Sequence, residues 1–161
     1  MKINQIKKEF PIFKKKINNK PLVYLDSANS SQKPNTVINR MSYFYENEFS
    51  NIGRSVHSLA VTATNRFEET RDLVKNFINA KHREEIIFTK GATEGINLVA
   101  NSYGDKFINE GDEIILTELE HHSNYVPWHY LRKRKKAVIK FAKINENLEI
   151  EVDEIKKLIT N

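Results

Sequence analysis

Residues 85–100 read EIIFTKGATEGINLVA, and the pattern changes once along their length. Ile86 and Ile87 belong to a short apolar run, which is typical of a buried strand. Gly91 then permits a tight turn. Apolar residues recur after it at helical spacing, at Ile96, Val99 and Ala100. The stretch therefore predicts a strand, a turn and a helix in that order.

The start of the predicted helix is a candidate anion site. Thr93 offers a hydroxyl beside the unpaired N–H groups and the positive dipole end of the helix, which together attract a phosphate. The residues match neither the P-loop nor the dinucleotide fingerprint with its three spaced glycines. Two interpretations stay open: a phosphate site, or an ordinary capped helix in which Gly91 and Gly95 serve only the backbone.

The composition narrows the class of protein. A chain of 161 residues suits one domain, and the absence of cysteine excludes disulfides, thiolate zinc sites and a thiol nucleophile within it. The formal net charge of +5 is a moderate excess and does not by itself indicate nucleic acid. No apolar run approaches the roughly 20 residues of a membrane span, and the first residues lack a secretory signal core. We therefore expect a soluble cytoplasmic protein without a membrane partner.

Strand patterns alternate with helix patterns along the chain. Residues 1–20 predict a short amphipathic helix and an irregular arm. The predicted strands are 22–25, the run around Ile86, 113–117 and 137–142; the predicted helices are 37–49 with Pro34 in the first turn, 60–80, the segment after Gly91, 128–136 and 152–159. This alternation predicts an α/β fold with a mostly parallel sheet and helices on both faces.

Two polar loops are further site candidates. Asp26-Ser27-Ala28-Asn29-Ser30-Ser31 follows a predicted strand, and ligands of α/β proteins lie at such carboxyl ends, although a plain solvent loop is equally consistent with these residues. A second loop, residues 51–59, interrupts the helical patterns and carries Arg54 and His57.

The pair His121-His122 follows the predicted strand 113–117. A metal site with Glu120, His57 or His129 is disfavoured, because adjacent residues rarely face one ion and His-Glu-x-x-His spacing is absent, so we expect no metal. A histidine here suits stacking over a planar ring, or else a bond to the loop backbone.

A basic run occupies residues 132–136, RKRKK. Five consecutive cations resemble a nucleic-acid patch, but no aromatic residues interleave with them for base stacking. The run also falls in the last turn of a predicted helix, where cations favour the helix dipole. We therefore expect a solvated helix end and no nucleic-acid partner.

Five separated motifs together resemble cysteine desulfurases of the sulfur-mobilising type. They are YLDSA (24–28), QKP (32–34), GATEGINLVA (91–100), GDEII (111–115) and EHHSNYVPW (120–128). These enzymes are class V aminotransferase-like and use pyridoxal 5′-phosphate. The resemblance implies a partial large domain of the fold type I pyridoxal-phosphate transferases, in which residues 1–20 form an amino-terminal arm and 21–161 the amino-terminal part of the cofactor-binding domain.

The resemblance also implies roles for individual residues. Ala92 and Thr93 would bind the cofactor phosphate, and His121 would stack on the pyridine ring as a catalytic residue. The residues implied near the substrate are Ala28, Asn29, Arg54 and His57, the first two beside its carboxylate. The implied reaction takes sulfur from L-cysteine as an enzyme persulfide and leaves L-alanine, for iron–sulfur cluster assembly with a sulfur-acceptor protein. The complete enzyme would be a homodimer.

The chain departs from the family pattern in two places and in length. Gly53-Arg54-Ser55-Val56-His57 stands where His-Arg-Gly-x-His is common, and Ala92 stands where threonine is frequent. The family's Schiff-base lysine and persulfide cysteine would lie beyond residue 161, so we expect an amino-terminal part that is inactive alone. Another class V enzyme, such as a selenocysteine lyase or kynureninase, or a non-catalytic fragment is the alternative.

Overall fold

A computed structural model describes residues 3–160. The predicted arm begins at residues 1 and 2, which lie outside the described residues. The chain divides into two compact units, Met1–Ile86 and Ile87–Asn161. Among residues 3–160, no helix is both long enough and apolar enough to cross a membrane.

The first unit is mainly helical. It contains α1 (Ile3–Lys8), a 3-10 turn (Pro11–Lys14), strands β1 (Lys16–Ile17) and β2 (Lys20–Pro21), helices α2 (Asn35–Asn47) and α3 (Ser58–Phe77), and a 3-10 turn (Arg83–Glu85). Strands β1 and β2 pair antiparallel. Asn18 and Asn19 join them with φ of 50° and 61°, in the left-handed region that asparagine tolerates better than most residues. The two long predicted helices are confirmed, with ends shifted by up to three residues.

The strand predicted at residues 22–25 is wrong. Leu22 N–H donates to Lys15 O at 3.2 Å, which extends the hairpin by one bond, but the following residues belong to no sheet within residues 3–160. The Tyr24 hydroxyl instead donates to Ser30 O at 2.5 Å and closes the next turn. A segment with an apolar pattern forms a strand only where a second backbone lies beside it and exchanges hydrogen bonds with it.

The segment around Ile86 is also not a strand. Ile86 has extended dihedral angles, φ −96° and ψ 114°, and its side chain is buried. Residues 86–89 nevertheless form no sheet pair within the described residues. The local conformation was therefore predicted correctly, whereas the pairing, which depends on distant residues, was not.

The second unit is α/β. Its elements are α4 (Ala92–Val99), which continues through a π turn (Ala100–Gly104) into α5 (Asp105–Phe107), then β3 (Glu113–Thr117), a 3-10 turn (His122–Asn124), α6 (Val126–Lys135), β4 (Val138–Ala142) and α7 (Val152–Leu158). Strands β3 and β4 pair in parallel, from Glu113↔Val138 to Thr117↔Ala142. The predicted strands, the connecting helix and the parallel direction are confirmed, as is the last helix.

A close contact between two helical segments forms the centre of the second unit. Leu131 of α6 is fully buried, and α6 contacts both β4 and the π turn. Gly104 ends that turn, and a Cβ atom added to it would lie 2.5 Å from Leu131 Cδ2. Glycine is needed there for the approach of the two segments, because its own φ of −60° is an ordinary helical value.

Candidate functional site

The start of α4 presents unpaired backbone donors. Its first internal bond runs from Gly95 N to Gly91 O at 3.1 Å. The backbone N–H groups of Ala92, Thr93 and Glu94 therefore have no acceptor within the helix. None of them has another hydrogen-bond partner within residues 3–160. Ala92 and Thr93 are exposed, and the Thr93 hydroxyl makes no hydrogen bond among the described residues. These groups match the donors that bind a phosphate at a helix N-terminus.

The residue that caps this helix start is a glycine. Gly91 is the N-cap residue of α4, and no side chain caps the helix amides. Glu94 reaches back instead, and its Oε2 accepts from Lys90 N at 2.6 Å. Thr93 thus lies in the first turn with its hydroxyl unengaged. An open depression of about 480 Å³ at this point is lined by Lys90, Gly91, Thr93, Glu94 and Asn97.

The turn that carries His121 contacts α4. His121 is the N-cap residue of the turn His122–Asn124; its Nδ1 accepts from Ser123 N at 3.2 Å and lies 2.9 Å from Ser123 Oγ, whose hydroxyl can donate to the same atom. An Nδ1 that accepts carries no proton, so in the neutral ring the proton resides on Nε2. The His121 and His122 rings are 6.2 Å apart and nearly perpendicular, so they face different directions. The loop-backbone bond holds one edge of the His121 ring and leaves its faces available for stacking.

A hydrogen-bond chain lies directly beside this turn. Glu120 Oε1 accepts from Thr117 Oγ1 at 2.8 Å and from Thr117 N at 3.3 Å. Its other oxygen accepts from Asn124 Nδ2 at 2.7 Å, and Asn124 Oδ1 accepts from Trp128 Nε1 at 2.9 Å. The chain therefore connects the last residue of β3, the histidine turn and α6. Sequence reasoning treated Glu120 only as a metal candidate and missed this role.

Hydrogen bonds from Asn124 and Thr117 lower the pKa of Glu120 below its ordinary value, against the opposing effect of burial. A carboxylate with a lowered pKa in the folded protein contributes stability above its ordinary titration range and loses it as the pH falls through the folded-state pKa. We expect the stability difference between the wild type and Glu120→Gln to be largest near neutrality and to shrink on acidification below the ordinary glutamate range, about pH 4.3. Urea unfolding of the full-length protein at several pH values measures it; a difference independent of pH would contradict the expectation.

The polar loop of the first unit is held by its own side chains. Asn29 Nδ2 donates to Asp26 Oδ2 at 3.4 Å, and Ser31 Oγ donates to Ser27 O at 3.3 Å. Ala28 and Asn29 are exposed at the tip of this turn. The backbone of neither residue makes a hydrogen bond to another backbone group within residues 3–160, which is consistent with either interpretation of the loop.

The second loop of the first unit is attached to the start of α3. His57 is the N-cap residue of this helix, and its Nδ1 accepts from Ala60 N at 3.3 Å. Gly53 N donates to Thr64 Oγ1 at 3.1 Å, with φ of 116° that favours glycine. The exposed Arg54 guanidinium between them makes no hydrogen bond or ion pair within residues 3–160. Such a guanidinium is suited to bidentate binding of a carboxylate.

The structure thus brings some predicted site residues together. Ala92 and Thr93 lie on α4, and His121 lies in a turn that contacts α4, all in the second unit. The four residues implied near the substrate belong to the first unit, where they occupy its two polar loops: Ala28, Asn29, Arg54 and His57.

Two further candidates from the sequence are the metal site and the basic run at residues 132–136. Residues 3–160 contain no group of three His, Asp or Glu side chains placed to hold a metal ion. In the basic run, Arg134 pairs with Asp105 at 3.0 Å and Lys136 with Glu110 at 2.9 Å, while Lys135 Nζ donates to Asp105 O. These cations hold α6 to neighbouring segments of the second unit.

Comparison with known proteins places these features in a family. The aminotransferase class-V family matches residues 23–161. A relative from Staphylococcus epidermidis, named "Probable cysteine desulfurase", is 49% identical over 159 residues, and a Staphylococcus aureus relative of the same name is 48% identical. Each alignment covers 99% of this chain and 38% of the relative, so the chain spans well under half the length of these relatives.

Solved structures agree with the fold. A cysteine desulfurase from Thermococcus onnurineus superimposes with a TM-score of 0.85 at 32% identity, covering 98% of this chain and 38% of that structure. A cysteine desulfurase from Escherichia coli gives 0.78 at 34% identity, covering 99% and 39%. The partial α/β domain described above is therefore the fold predicted from the sequence.

Proposed function

Because the chain belongs to the aminotransferase class-V family, we propose that it is the amino-terminal part of a pyridoxal 5′-phosphate-dependent cysteine desulfurase. The proposed reaction takes sulfur from L-cysteine and yields L-alanine and an enzyme persulfide. One observation carries the proposal: in the second unit, the turn His122–Asn124, which His121 caps, contacts α4, and the start of α4 has three unpaired amides and the unengaged Thr93 hydroxyl. A phosphate site and a stacking ring are the two contacts that a flat phosphorylated cofactor needs.

The α4 start would hold the cofactor phosphate. The amides of Ala92, Thr93 and Glu94 would donate to its oxygens, and the Thr93 hydroxyl would add a fourth, charge-assisted bond. One oxygen of the Glu94 carboxylate is already occupied, because it accepts from Lys90 N. Ala92 lacks a hydroxyl, so its contribution is limited to the backbone. When bound, pyridoxal phosphate supplies an electron sink that stabilises negative charge on the substrate.

His121 would hold the cofactor ring by stacking. Its Nδ1 is occupied by Ser123 N–H, so the proton resides on Nε2 at the opposite edge of the imidazole. That edge would donate a hydrogen bond to a substrate or cofactor oxygen, and the ring face would exclude water from one side of the pyridine. Ser123 therefore determines which atom of His121 carries the proton.

The polar loops of the first unit would bind L-cysteine. We assign the unpaired Arg54 guanidinium to an anionic group and the exposed residues Ala28 and Asn29 to the substrate carboxylate. His57 would border the site with its Nε2, since Nδ1 caps α3. The arm at 1–20 and the cofactor-binding domain from 21 remain predicted divisions of the chain.

The proposal extends to the cellular role of the full-length protein. A persulfide must be passed on, so a sulfur-acceptor protein is the expected partner and iron–sulfur cluster assembly the expected pathway. We further propose a homodimer in the cytoplasm. The full-length protein with pyridoxal phosphate and L-cysteine should form equal amounts of alanine and transferred sulfur; failure to form alanine would contradict the proposed reaction.

Replacing Thr93 by alanine is expected to weaken cofactor binding in the full-length protein. A lost hydrogen bond to a charged group typically costs about 1.5–3 kcal/mol, because the phosphate oxygen loses a charge-assisted donor. Absorbance titration with pyridoxal phosphate measures the dissociation constant. Thr93→Ser retains the hydroxyl and is the matched control. Equal affinities of the wild type and Thr93→Ala would show that this hydroxyl does not bind the phosphate.

His121→Ala and His122→Ala are expected to behave differently. The two rings face different directions, so only one of them stacks on the cofactor. Loss of a stacking pair costs about 0.5–1.5 kcal/mol, and His121→Ala should therefore weaken cofactor binding by roughly two- to tenfold, shift its absorption band and slow turnover. His122→Ala should leave the band unchanged. Spectra of the two full-length variants decide the matter, and the reverse pattern would assign the stacking ring to His122.

A further inference from the structure

We propose that Glu120 is a positioning residue, which fixes the ring of His121 through the hydrogen-bond chain from Thr117 to Trp128. The functional meaning of this inference rests on the proposed stacking of His121, whereas the positioning itself is a property of the turn. Glu120 flanks His121 on one side and Asn124 closes the turn on the other. The Asn124 Nδ2 bond to Glu120, at 2.7 Å, joins these two residues and so fixes the backbone between them.

Both ends of the hydrogen-bond chain lie on regular secondary structure. Thr117 is the last residue of β3, which pairs with β4 along its whole length, and Trp128 lies in the first turns of α6. The intervening turn is short and His121 itself is exposed, so packing alone does little to hold its ring. The bonds of Glu120 and Asn124 therefore reinforce the backbone bond from Asn124 N to His121 O, at 2.8 Å, in keeping Ser123 N–H within reach of His121 Nδ1.

The donor and acceptor directions along the hydrogen-bond chain require a carboxylate at residue 120. Trp128 Nε1 is solely a donor, so Asn124 must present Oδ1 to it and Nδ2 to Glu120. At the other end, Thr117 N–H also donates to Glu120. Residue 120 must therefore accept hydrogen bonds on both oxygens. Glutamine has only one acceptor oxygen, so in Glu120→Gln an amide donor would face either Asn124 Nδ2 or Thr117 N–H.

The first test compares Glu120→Gln with Glu118→Gln in the full-length protein. Glu118 is two residues away with the same charge, and its Oε2 accepts from Ile144 N at 3.1 Å, a bond that an amide oxygen also accepts. In nitrogen-15 NMR of histidine-labelled, cofactor-free protein, we expect His121 to show a single Nε2–H tautomer in the wild type and in Glu118→Gln. Glu120→Gln should show mixed tautomers, and it should bind pyridoxal phosphate roughly two- to tenfold more weakly, the loss expected if stacking fails.

The second test removes the constraint on polarity. Trp128→Phe deletes the indole donor, so in the double variant Asn124 is free to turn its Oδ1 toward the amide that Glu120→Gln introduces. The tautomer mixture and the loss of affinity caused by Glu120→Gln should therefore be smaller when Trp128→Phe is also present. A general loss of folding would instead add to the effect of Trp128→Phe, so the double variant separates positioning from stability.

Two results would overturn the inference. They are an unchanged His121 tautomer in Glu120→Gln, and effects of Glu120→Gln and Trp128→Phe that are simply additive. The inference and the proposed function fail separately. If His121→Ala leaves cofactor affinity unchanged, the stacking contact is wrong, while the tautomer measured in the cofactor-free protein still decides whether Glu120 positions His121.

Discussion

Replacing Gly104 by alanine in the full-length protein is expected to lower the free energy of unfolding. The added Cβ would lie 2.5 Å from Leu131 Cδ2 and 3.4 Å from Cδ1, inside contact distance. Leu131 is fully buried, so a shift of its side chain would have to displace packed neighbours. Overpacking of this kind costs about 1–3 kcal/mol. Alanine is favoured over glycine in a helical conformation by about 0.5–1 kcal/mol, which is less than most of this overpacking range. We therefore expect a net decrease in the free energy of unfolding.

The matched control is Gly95→Ala in α4. The added Cβ there would meet only Thr89 Oγ1, at 3.6 Å, which is ordinary contact. The same substitution should therefore be neutral or stabilising by about 0.5–1 kcal/mol, measured by urea unfolding without cofactor. In a Leu131→Ala background, the cost of Gly104→Ala should shrink because the obstructing methyl groups are gone. Equal effects of the two glycine substitutions in the wild-type background would show that the Leu131 contact does not limit packing.

The elements that could be predicted from sequence are those set by local pattern. β3, α6 and β4 follow from short apolar runs, a turn at Gly111 and a helical run, and each was located within about two residues. Residues 22–25 and 86–89 have equally apolar patterns but form no strands within the described residues. The difference is the partner backbone, and strand pairing between distant segments leaves no signal in the local sequence.

At the candidate site, too, the features set by the local pattern were predictable and the individual hydrogen bonds were not. The free helix amides at Thr93 followed from the turn and the helical pattern, whereas the capping by Gly91 and the back-bond of Glu94 did not. The Glu120 chain did leave a signal that was overlooked. Glu120, Asn124 and Trp128 are spaced by four residues, the separation at which side chains on a helical turn meet. An acceptor, an amide that both donates and accepts, and a donor at that spacing beside a histidine pair indicate a hydrogen-bonded turn.

The segment of residues 1–161, expressed alone, is expected to be inactive and to lack a cooperative unfolding transition. Its described buried apolar residues are mostly alanines, and the larger ones are Ile86, Leu116 and Leu131. Phe77 and Leu25 are 90% and 92% exposed. A parallel sheet of two strands with so small a core buries too little apolar surface to offset the entropy of folding. Exposed apolar faces of this kind favour aggregation or association with other surfaces.

The residue content of the isolated segment also leads us to expect that it is inactive. It contains no cysteine, so no sulfur of its own is available to carry a persulfide. The experiment adds pyridoxal phosphate and L-cysteine to purified residues 1–161 and measures alanine, sulfide and a thermal melt, with the full-length protein assayed alongside as the control. Under the proposed function, the full-length protein should form alanine and melt cooperatively. A sharp melt from a monomeric segment would show that its small core suffices, and alanine formed at an enzymatic rate would show that a persulfide cysteine is not required.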